Sequence, residues 1–217
     1  MQKKHIIIMS SIIGAICIVS IILICFFTIP RITYGYDSEA RTYYVDKVYG
    51  NAQKYTIKNS IKDKPVTKIR SRAFMNKSNL REIILGENLE EIERLAFLNC
   101  KRLDKIDLSS VKVIGRNAFE NCTSLKEVEL TLEDILGGTF IGCTSLETVT
   151  LTNTLTIGSY AFAYTKIEEI TIPRNCYNVG VDAFYACNHL KKVIVQSHRL
   201  MYDSYLNSLN GIEFQIN

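Results

Sequence analysis

The sequence predicts a repeat solenoid of the α/β class, in which short parallel strands alternate with short helical turns. Three observations predict it. A phenylalanine recurs every 21 to 23 residues, aliphatic residues keep fixed places before it, and aliphatic and polar residues alternate after it. A period of this length is typical of solenoids, whose units bury their apolar faces only against neighbouring units. The recurring residues are Phe74, Phe97, Phe119, Phe140, Phe162 and Phe184.

We call the equivalent positions of successive copies a column, and the copy that runs from Ile114 to Leu130 shows the role of each column. Val128 and Leu130 are separated by a polar residue, which is the period of a strand with one buried face. Phe119 and Cys122 are three residues apart, a spacing that places both on one face of a helix. We therefore expect each unit to contain a short strand, a turn and about one helical turn, with the phenylalanine inside.

The string Ile-Gly-x-x-Ala-Phe-x-x-Cys-x-x-Leu-x-x-Val-x-Leu, seen here from Ile114 to Leu130, resembles the BspA-like leucine-rich repeat of surface proteins. The segment from Asp63 to Ile69 is similar to the phrase that leads into the first repeat of that family. The resemblance covers residues 64–195. It implies a leucine-rich-repeat solenoid with a role in adhesion or protein binding, and it identifies no ligand.

Residues 6–29 contain no charged side chain, and fifteen of them are Ile, Leu, Val or Phe. As a helix this stretch is about 36 Å long, enough to cross a hydrocarbon core of roughly 30 Å. A cleaved signal peptide is the alternative, but its apolar core is shorter and ends in a small-residue cleavage site, which Phe26 to Pro30 do not provide. We therefore expect an uncleaved signal anchor that ends at Pro30.

Lys3 and Lys4 flank the short side of this segment. The positive-inside tendency would keep that side in the cytoplasm, and Arg31 on the other side weakens the bias without reversing it. The predicted location is the plasma membrane, with a single span, a cytoplasmic N-terminus and extracellular repeats. The predicted division is a cytoplasmic tail (1–5), a transmembrane helix (6–29), a β-rich N-terminal cap (30–63), six repeats (64–195) and a C-terminal cap (196–217).

The expected N-terminal cap is rich in tyrosine, and strand-forming residues flank the turn signal Gly50-Asn51. A cap would cover the open edge of the first coil. An aromatic patch that binds glycan or peptide, or a loose stalk, is the alternative. After the repeats, residues 199–209 have helical character and residues 210–216 alternate like a final strand.

Five cysteines lie outside the expected anchor, and four of them (Cys100, Cys122, Cys143 and Cys187) occupy one column. We expect them to pack as small buried side chains, with disulfides as the alternative. Cys176 lies outside the column and is the thiol to test for reactivity. No C-x-x-C spacing is present, so zinc is not expected.

The residues indicate no enzyme, cofactor or metal. The chain has three histidines and no phosphate loop, nucleophile elbow or metalloprotease motif. A metal pair of His189 and His198 is the weak alternative to exposed turn residues. A formal net charge of +4, half of it from Lys3 and Lys4, is too balanced to indicate nucleic acid as a partner.

The outward positions of the predicted strands are the candidate protein-binding residues. Parallel strands stack about 4.8 Å apart, so equivalent residues of successive copies become neighbours. Mutual neutralisation of alternating charges is one interpretation, and contact with a protein partner is the other. The first row is Arg81, Asp104, Lys126, Glu147, Glu168 and Lys191, the second is Glu82, Lys105, Glu127, Thr148, Glu169 and Lys192, and the third is Ile84, Asp107, Glu129, Thr150, Thr171 and Ile194.

These features predict a membrane-anchored surface protein that binds a protein ligand or adheres without catalysis. A structural or scaffolding subunit of a membrane complex is the second hypothesis. A carbohydrate-binding module that uses Tyr43 and Tyr44 is the third.

Overall fold

The computed structural model describes residues 29–196 and 213–216. The chain winds into stacked coils built from two rows of parallel strands and a row of turn segments. The strands in chain order are β1 (Arg31–Asp37), β2 (Thr42–Tyr49), β3 (Lys54–Thr56), β4 (Ser60–Ile61), β5 (Lys64–Ile69), β6 (Glu82–Ile84), β7 (Glu91–Ile92), β8 (Lys105–Ile106), β9 (Val113–Ile114), β10 (Glu127–Leu130), β11 (Asp134–Ile135), β12 (Thr148–Leu151), β13 (Thr156–Ile157), β14 (Glu169–Ile172), β15 (Asn178–Val179), β16 (Lys192–Val195) and β17 (Glu213–Ile216).

One row of strands contains the aliphatic column that precedes each phenylalanine. Its sheets run in the order β1-β2-β5-β7-β9 and β11-β13-β15. Ile69 lies beside Ile92, and Ile92 beside Ile114, so the buried column stays in register from coil to coil. A one-residue slip would turn this column toward solvent, which is why the pattern holds the register firmly.

The second row of strands follows each phenylalanine and forms the sheets β3-β6-β8, β10-β12 and β14-β16-β17. In β10, Val128 and Leu130 are buried while Glu127 and Glu129 are exposed. The predicted strands with one buried face are therefore confirmed. The predicted final strand is also present as β17, which pairs in parallel with β16. The helical character expected for residues 199–209 lies outside the described residues.

The six phenylalanines form a continuous stack through the interior, as the repeat predicts. Each side chain is at most 2% exposed. Successive ring centroids lie 4.9 to 5.8 Å apart, and the ring planes are within 16° of parallel. Tyr55 closes the N-terminal end by meeting Phe74 edge-on at 5.7 Å. Ring stacking thus links every coil to the next through its most buried side chain.

The predicted helical turn is wrong. The segments around the phenylalanines, residues 71–76, 94–99, 116–121, 137–142, 159–164 and 181–186, are successive tight turns. Their backbone reaches across to the next coil: the Phe97 N–H donates to the Ala118 carbonyl at 2.8 Å, and the Asn99 N–H donates to the Glu120 carbonyl at 2.8 Å. A helix would direct these groups along its own axis instead.

Positive φ angles separate these turns from a helix. They occur two residues before and two residues after each buried phenylalanine. The residues are Arg72, Asn76, Leu95, Asn99, Asn117, Asn121, Gly138, Gly142, Tyr160, Tyr164, Asp182 and Ala186. The left-handed conformation at these places interrupts the helical path twice per segment. The three-residue spacing of Phe119 and Cys122 therefore arises from turns.

The N-terminal strands β1 and β2 form an antiparallel hairpin, and β2 pairs in parallel with β5. The strands expected on either side of Gly50-Asn51 are confirmed as β2 and β3. The hairpin extends the sheet that begins at β5 and thereby covers an edge that would otherwise be open. The division into caps, repeats, anchor and tail stays a prediction.

The expected anchor, residues 6–29, lies almost entirely outside the described residues. Among the residues that the structure does describe, no helix has the length and apolarity needed to span a membrane.

Candidate functional site

The outward side chains of β6, β8, β10, β12, β14 and β16, the residue before each of these strands, and Asp107 after β8 form one surface, which we call the strand face. It contains all three predicted rows. The pairing of the strands places Glu82 beside Lys105, Glu127 beside Thr148 and Glu169 beside Lys192. These neighbours are the ones that the repeat spacing predicts.

Among the residues that the structure describes, ion pairs between members of the first row form only toward its two ends. Arg81 and Asp104 are 4.0 Å apart, and Lys191 lies 2.8 Å from Glu168. The hydrogen bond from Lys191 holds the pKa of Glu168 below its ordinary value. Glu147 pairs at 3.9 Å with Lys166, a residue outside the row. Only some of the oppositely charged neighbours in the first row therefore form ion pairs.

The second row behaves in the same way. Glu82 accepts a contact of 3.0 Å from Lys54 of β3, which extends the row by one strand, and Glu169 lies 3.9 Å from Lys192. Within the described part of the chain, Lys105, Lys126 and Glu127 have no oppositely charged side chain within 4.0 Å. The middle coils therefore carry exposed charges that the fold does not neutralise.

The third row is less charged, as the sequence indicates. Ile84 is 43% exposed, and Glu129 and Thr150 lie side by side on β10 and β12. Thr171 and Ile194 are half-buried neighbours on β14 and β16. The Ser109 N–H donates to Asp107 at 2.9 Å and, with the Ser109 side chain, lowers the pKa of that carboxyl group.

The backbone pairing of the strand face is interrupted twice, between β8 and β10 and between β12 and β14. A depression of about 710 Å³ lies over β6, β8 and the residues that follow them, and it reaches the first interruption at Glu127. Ile84 and Ile106 provide apolar surface within it, and Asp104, Asp107 and Glu127 provide carboxylates. Eight of the eighteen residues in the three rows are acidic and five are basic, a net charge of −3 in a chain whose net charge is +4.

The tyrosines near the N-terminus have structural contacts. The ring of Tyr43 lies 5.0 Å from that of Tyr36, and the guanidinium of Arg70 lies 5.0 Å from the ring centroid of Tyr44. Gly35 is required under Tyr44, since a Cβ there would lie 2.3 Å from the tyrosine ring. Tyr43 and Tyr44 are half-buried, and the hypothesis that they bind carbohydrate stays a prediction.

The cysteine column is buried and carries free thiols. Each thiol of the column donates to the carbonyl of a phenylalanine in the preceding coil, at 3.1 to 3.3 Å. Burial raises the pKa of Cys100 and that of Cys143 to about 12. Cys176 is buried as well, and burial also raises its pKa. These thiols are shielded and neutral, in agreement with the packing interpretation.

Within residues 29–196 and 213–216, no three His, Cys, Asp or Glu side chains converge as metal ligands. His189 is exposed, and His198 lies outside the described residues. The structure therefore does not test the pair, and the absence of catalysis stays a prediction.

The structure reveals a surface that the sequence interpretation missed. We call the outer edge formed by the six turn segments the turn ridge. Tyr160, Tyr164 and Tyr185 cluster on it, with ring centroids 6.0 Å apart for Tyr160 and Tyr185 and 5.5 Å apart for Tyr164 and Tyr185. The signal was available, because Tyr160 and Tyr164 flank Phe162 at the columns that hold Asn or Gly in the two preceding copies.

Comparison with known families matches residues 49–156 and 129–214 to the family described as "BspA type Leucine rich repeat region", in six copies. Comparison with curated proteins finds no match.

Among solved structures, the chain is similar to a leucine rich cell surface protein from Faecalibacterium prausnitzii. The two are 25% identical with a TM-score of 0.66, over 78% of this chain and 55% of that one. The chain thus spans about half the length of that protein.

A leucine-rich repeat protein from Eubacterium ventriosum is 19% identical, with a TM-score of 0.54, over 82% of this chain and 53% of that one. A leucine rich repeat protein from T. pallidum is 17% identical, with a TM-score of 0.50, over 86% of this chain and 79% of that one. At these identities the likeness concerns the fold alone.

Proposed function

Because the chain belongs to the BspA type leucine-rich repeat family, we propose that it is a cell-surface protein that binds a protein partner, or adheres to one, without catalysis. The similar Faecalibacterium prausnitzii protein is described as a cell surface protein, which supports the location. The binding surface in this proposal is the strand face.

The observation that carries the proposal is the distribution of ion pairs on the strand face. Pairs within the rows occupy the two ends, and Glu147 pairs with Lys166 beside the rows, while Lys105, Lys126, Glu127 and Glu129 have no ion pair among the described residues. Mutual neutralisation alone would have placed contacts throughout the rows. Exposed charges without partners are available to a ligand, and complementary charges favour specific and rapid association.

The depression over β6 and β8 adjoins these middle charges, since Lys105 and Glu127 line it. Its lining also includes the exposed Ile84 and the carboxylates of Asp104 and Asp107. Protein interfaces combine a desolvated apolar centre with a polar rim, and this part of the strand face has both elements. We therefore place the centre of partner contact there.

A capture experiment tests this proposal. The full chain in lipid vesicles is incubated with proteins from its native surroundings, and the retained proteins are identified by mass spectrometry. The test variant combines Lys126→Glu, Glu127→Lys and Glu129→Lys. The matched control combines Lys112→Glu with Glu90→Lys. These two residues form a 2.6 Å ion pair beside the other row of strands, and the control reverses both of its charges.

The proposal expects a protein that the wild type and the control retain and the test variant loses. Retention of the same proteins by all three chains would contradict it. Capture of a membrane complex by all three chains would favour the scaffolding hypothesis instead.

The membrane anchor is a separate part of the proposal. It rests on the uncharged stretch of residues 6–29 and on Lys3 and Lys4 at its short side. In cells, the full chain should resist extraction by alkaline carbonate, and protease added outside should digest the repeats. Ile18→Lys should release part of the chain, because a lysine at the centre of a span costs about 3 kcal/mol. Complete extraction of the wild type would contradict the anchor.

A further inference from the structure

The tyrosine cluster lies in the last two turn segments and is open to solvent. Tyr160, Tyr164 and Tyr185 are 41%, 48% and 47% exposed. Their rings meet edge-on, and the hydroxyl of Tyr160 donates to a carboxylate oxygen of Asp182 at 2.8 Å. The cluster therefore combines aromatic surface with one negative charge.

The backbone beneath two of these tyrosines is strained. Tyr160 has a φ of 57° and Tyr164 a φ of 62°. Side chains of this size rarely adopt the left-handed conformation, whereas Asn and Gly adopt it readily. The two preceding copies indeed carry Asn117 and Asn121, then Gly138 and Gly142, at these places. The same conformation recurs at Arg72, Leu95, Asp182 and Ala186 and so belongs to every turn segment; at Tyr160 and Tyr164 it also holds an exposed ring on a strained backbone.

The other end of the turn ridge is basic. Arg72, Arg94 and Arg116 are exposed in the first three turn segments. In the described part of the chain, none of the three has a carboxylate within 4.0 Å. The guanidinium of Arg116 lies over Gly137, where a Cβ would approach it to 2.9 Å. One edge of the solenoid thus carries unpaired cations at one end and tyrosines with a carboxylate at the other.

This arrangement is self-complementary under a two-fold rotation. An axis that crosses the ridge between the third and fourth turn segments reverses the order of the coils and keeps each column opposite itself. The column two residues before each phenylalanine reads Arg72, Leu95, Asn117, Gly138, Tyr160 and Asp182. Reversal places Arg72 opposite Asp182, Asn117 opposite Gly138, and Tyr160 opposite the position of Leu95, whose side chain is buried at 8% exposed.

The neighbouring columns agree with this pairing. Arg94 is brought opposite Ser159, next to Tyr160, and Met75 is brought opposite Tyr185. An axis parallel to the solenoid would instead place each coil opposite its own copy, so the first three turn segments of one protomer, with exposed Arg72, Arg94 and Arg116, would face the same segments of the other. Like charges in contact disfavour that arrangement. The charges therefore select the antiparallel dimer.

We propose that the turn ridge is the interface of an antiparallel homodimer, in which the arginine end of one protomer contacts the tyrosine cluster and Asp182 of its partner. Arginine and tyrosine are the residues enriched at the energetic centres of interfaces. A guanidinium against a tyrosine ring gains cation–π attraction, and a carboxylate beside it adds an ion pair. Because the contact is isologous, each interaction occurs twice.

Sedimentation velocity of the full chain in detergent micelles tests the proposal by charge exchange. Arg72→Glu and Asp182→Arg are measured alone, combined in one chain, and mixed as two separate chains. Each single variant should weaken dimerisation about tenfold or more, because a two-fold interface contains every contact twice. The double variant should dimerise again, and the mixture should form heterodimers.

Two further variants keep the test independent of local folding. Tyr185→Ser removes the central ring of the cluster without touching a charge, and it should also weaken the dimer. Lys112→Glu, on a different surface, should leave it unchanged. Circular dichroism of each variant checks that the fold is retained. A monomeric wild type would overturn the proposal. So would a dimer that neither charge reversal nor Tyr185→Ser alters, as association through residues 6–29 would produce.

Discussion

The thiol of Cys122 donates a hydrogen bond of 3.3 Å to the carbonyl oxygen of Phe97, one coil back. The Cys100 N–H donates to the same oxygen at 3.0 Å. The cysteine thus fills a small buried space and adds a second donor to a carbonyl that already has one. Thr165 holds the same column with a hydroxyl donor, but it donates at 2.8 Å to the Phe162 carbonyl of its own coil, the oxygen that also accepts from the Cys187 thiol.

The buried thiols predict a loss of stability at alkaline pH. A thiol ionises near pH 9.0 when exposed, and burial raises the pKa of Cys143 to about 12. The folded state keeps the proton and the unfolded state releases it, so the free energy of unfolding should fall as pH rises from about 9 toward 12. Urea denaturation at about pH 8 and about pH 10.5 measures the fall.

Cys143→Thr provides the comparison for this prediction. It removes one thiol and keeps a hydroxyl donor, so its stability should fall less over the same interval. Burial also raises the pKa values of Tyr34 and Tyr55, but both tyrosines are present in the two chains and cancel in the difference. Equal losses in both chains would contradict a role for the Cys143 thiol.

Removing a ring from the phenylalanine stack should be severely destabilising. Phe119 is fully buried between Phe97 and Phe140, at 5.1 and 5.4 Å. Phe119→Ala leaves a cavity and should cost about 3 to 5 kcal/mol, measured by thermal or chemical denaturation. Tyr177→Ala removes a ring that is 51% exposed and serves as the control, with little expected change. Similar effects of the two substitutions would refute the importance of the stack.

Gly115 should not tolerate a side chain. A Cβ at this position would lie 2.4 Å from the backbone nitrogen of Arg94 and 2.7 Å from the carbonyl carbon of Glu93. Gly115→Ala must push two coils apart and should cost about 1 to 3 kcal/mol. At Gly137 the nearest atom is the flexible end of Arg116, at 2.9 Å, so Gly137→Ala should cost less. Urea denaturation of both variants decides the order.

Tyr164→Asn should raise the stability of the fold by about 0.5 to 1 kcal/mol, because asparagine tolerates a positive φ better than tyrosine does. The same change should weaken the proposed dimer, since it removes a ring of the tyrosine cluster. Denaturation at a concentration where both chains are monomeric separates the two effects. A loss of stability would show that the backbone strain at Tyr164 is small.

The sequence alone predicts the architecture well, because the same columns recur at a nearly constant period. Phe119, Val128 and Leu130 are buried as expected, and the neighbours within each row are those that the spacing indicates. Because residues at equivalent places of each copy occupy equivalent places in successive coils, the repeat alone is enough to predict the phenylalanine stack.

The turn segments could not be predicted in the same way. A three-residue separation, such as that of Phe119 and Cys122, is compatible with a helix and with successive tight turns. The choice depends on the residues at the positive φ positions, Asn117 and Asn121, which favour the left-handed conformation. The interruptions between β8 and β10 and between β12 and β14 were equally hidden, because they depend on hydrogen bonds that the columns do not encode.

The phenylalanine stack has a consequence for how such proteins change length. Among the aromatic rings of the described residues, that of Phe119 meets those of Phe97 and Phe140 in the adjacent coils, so gaining or losing one whole coil leaves the contacts between the other coils unchanged. Duplication of about 22 residues therefore lengthens the molecule by one step of roughly 5 Å without redesign of the interior. Recognition can therefore change with the number of coils, while the interior of each coil stays the same.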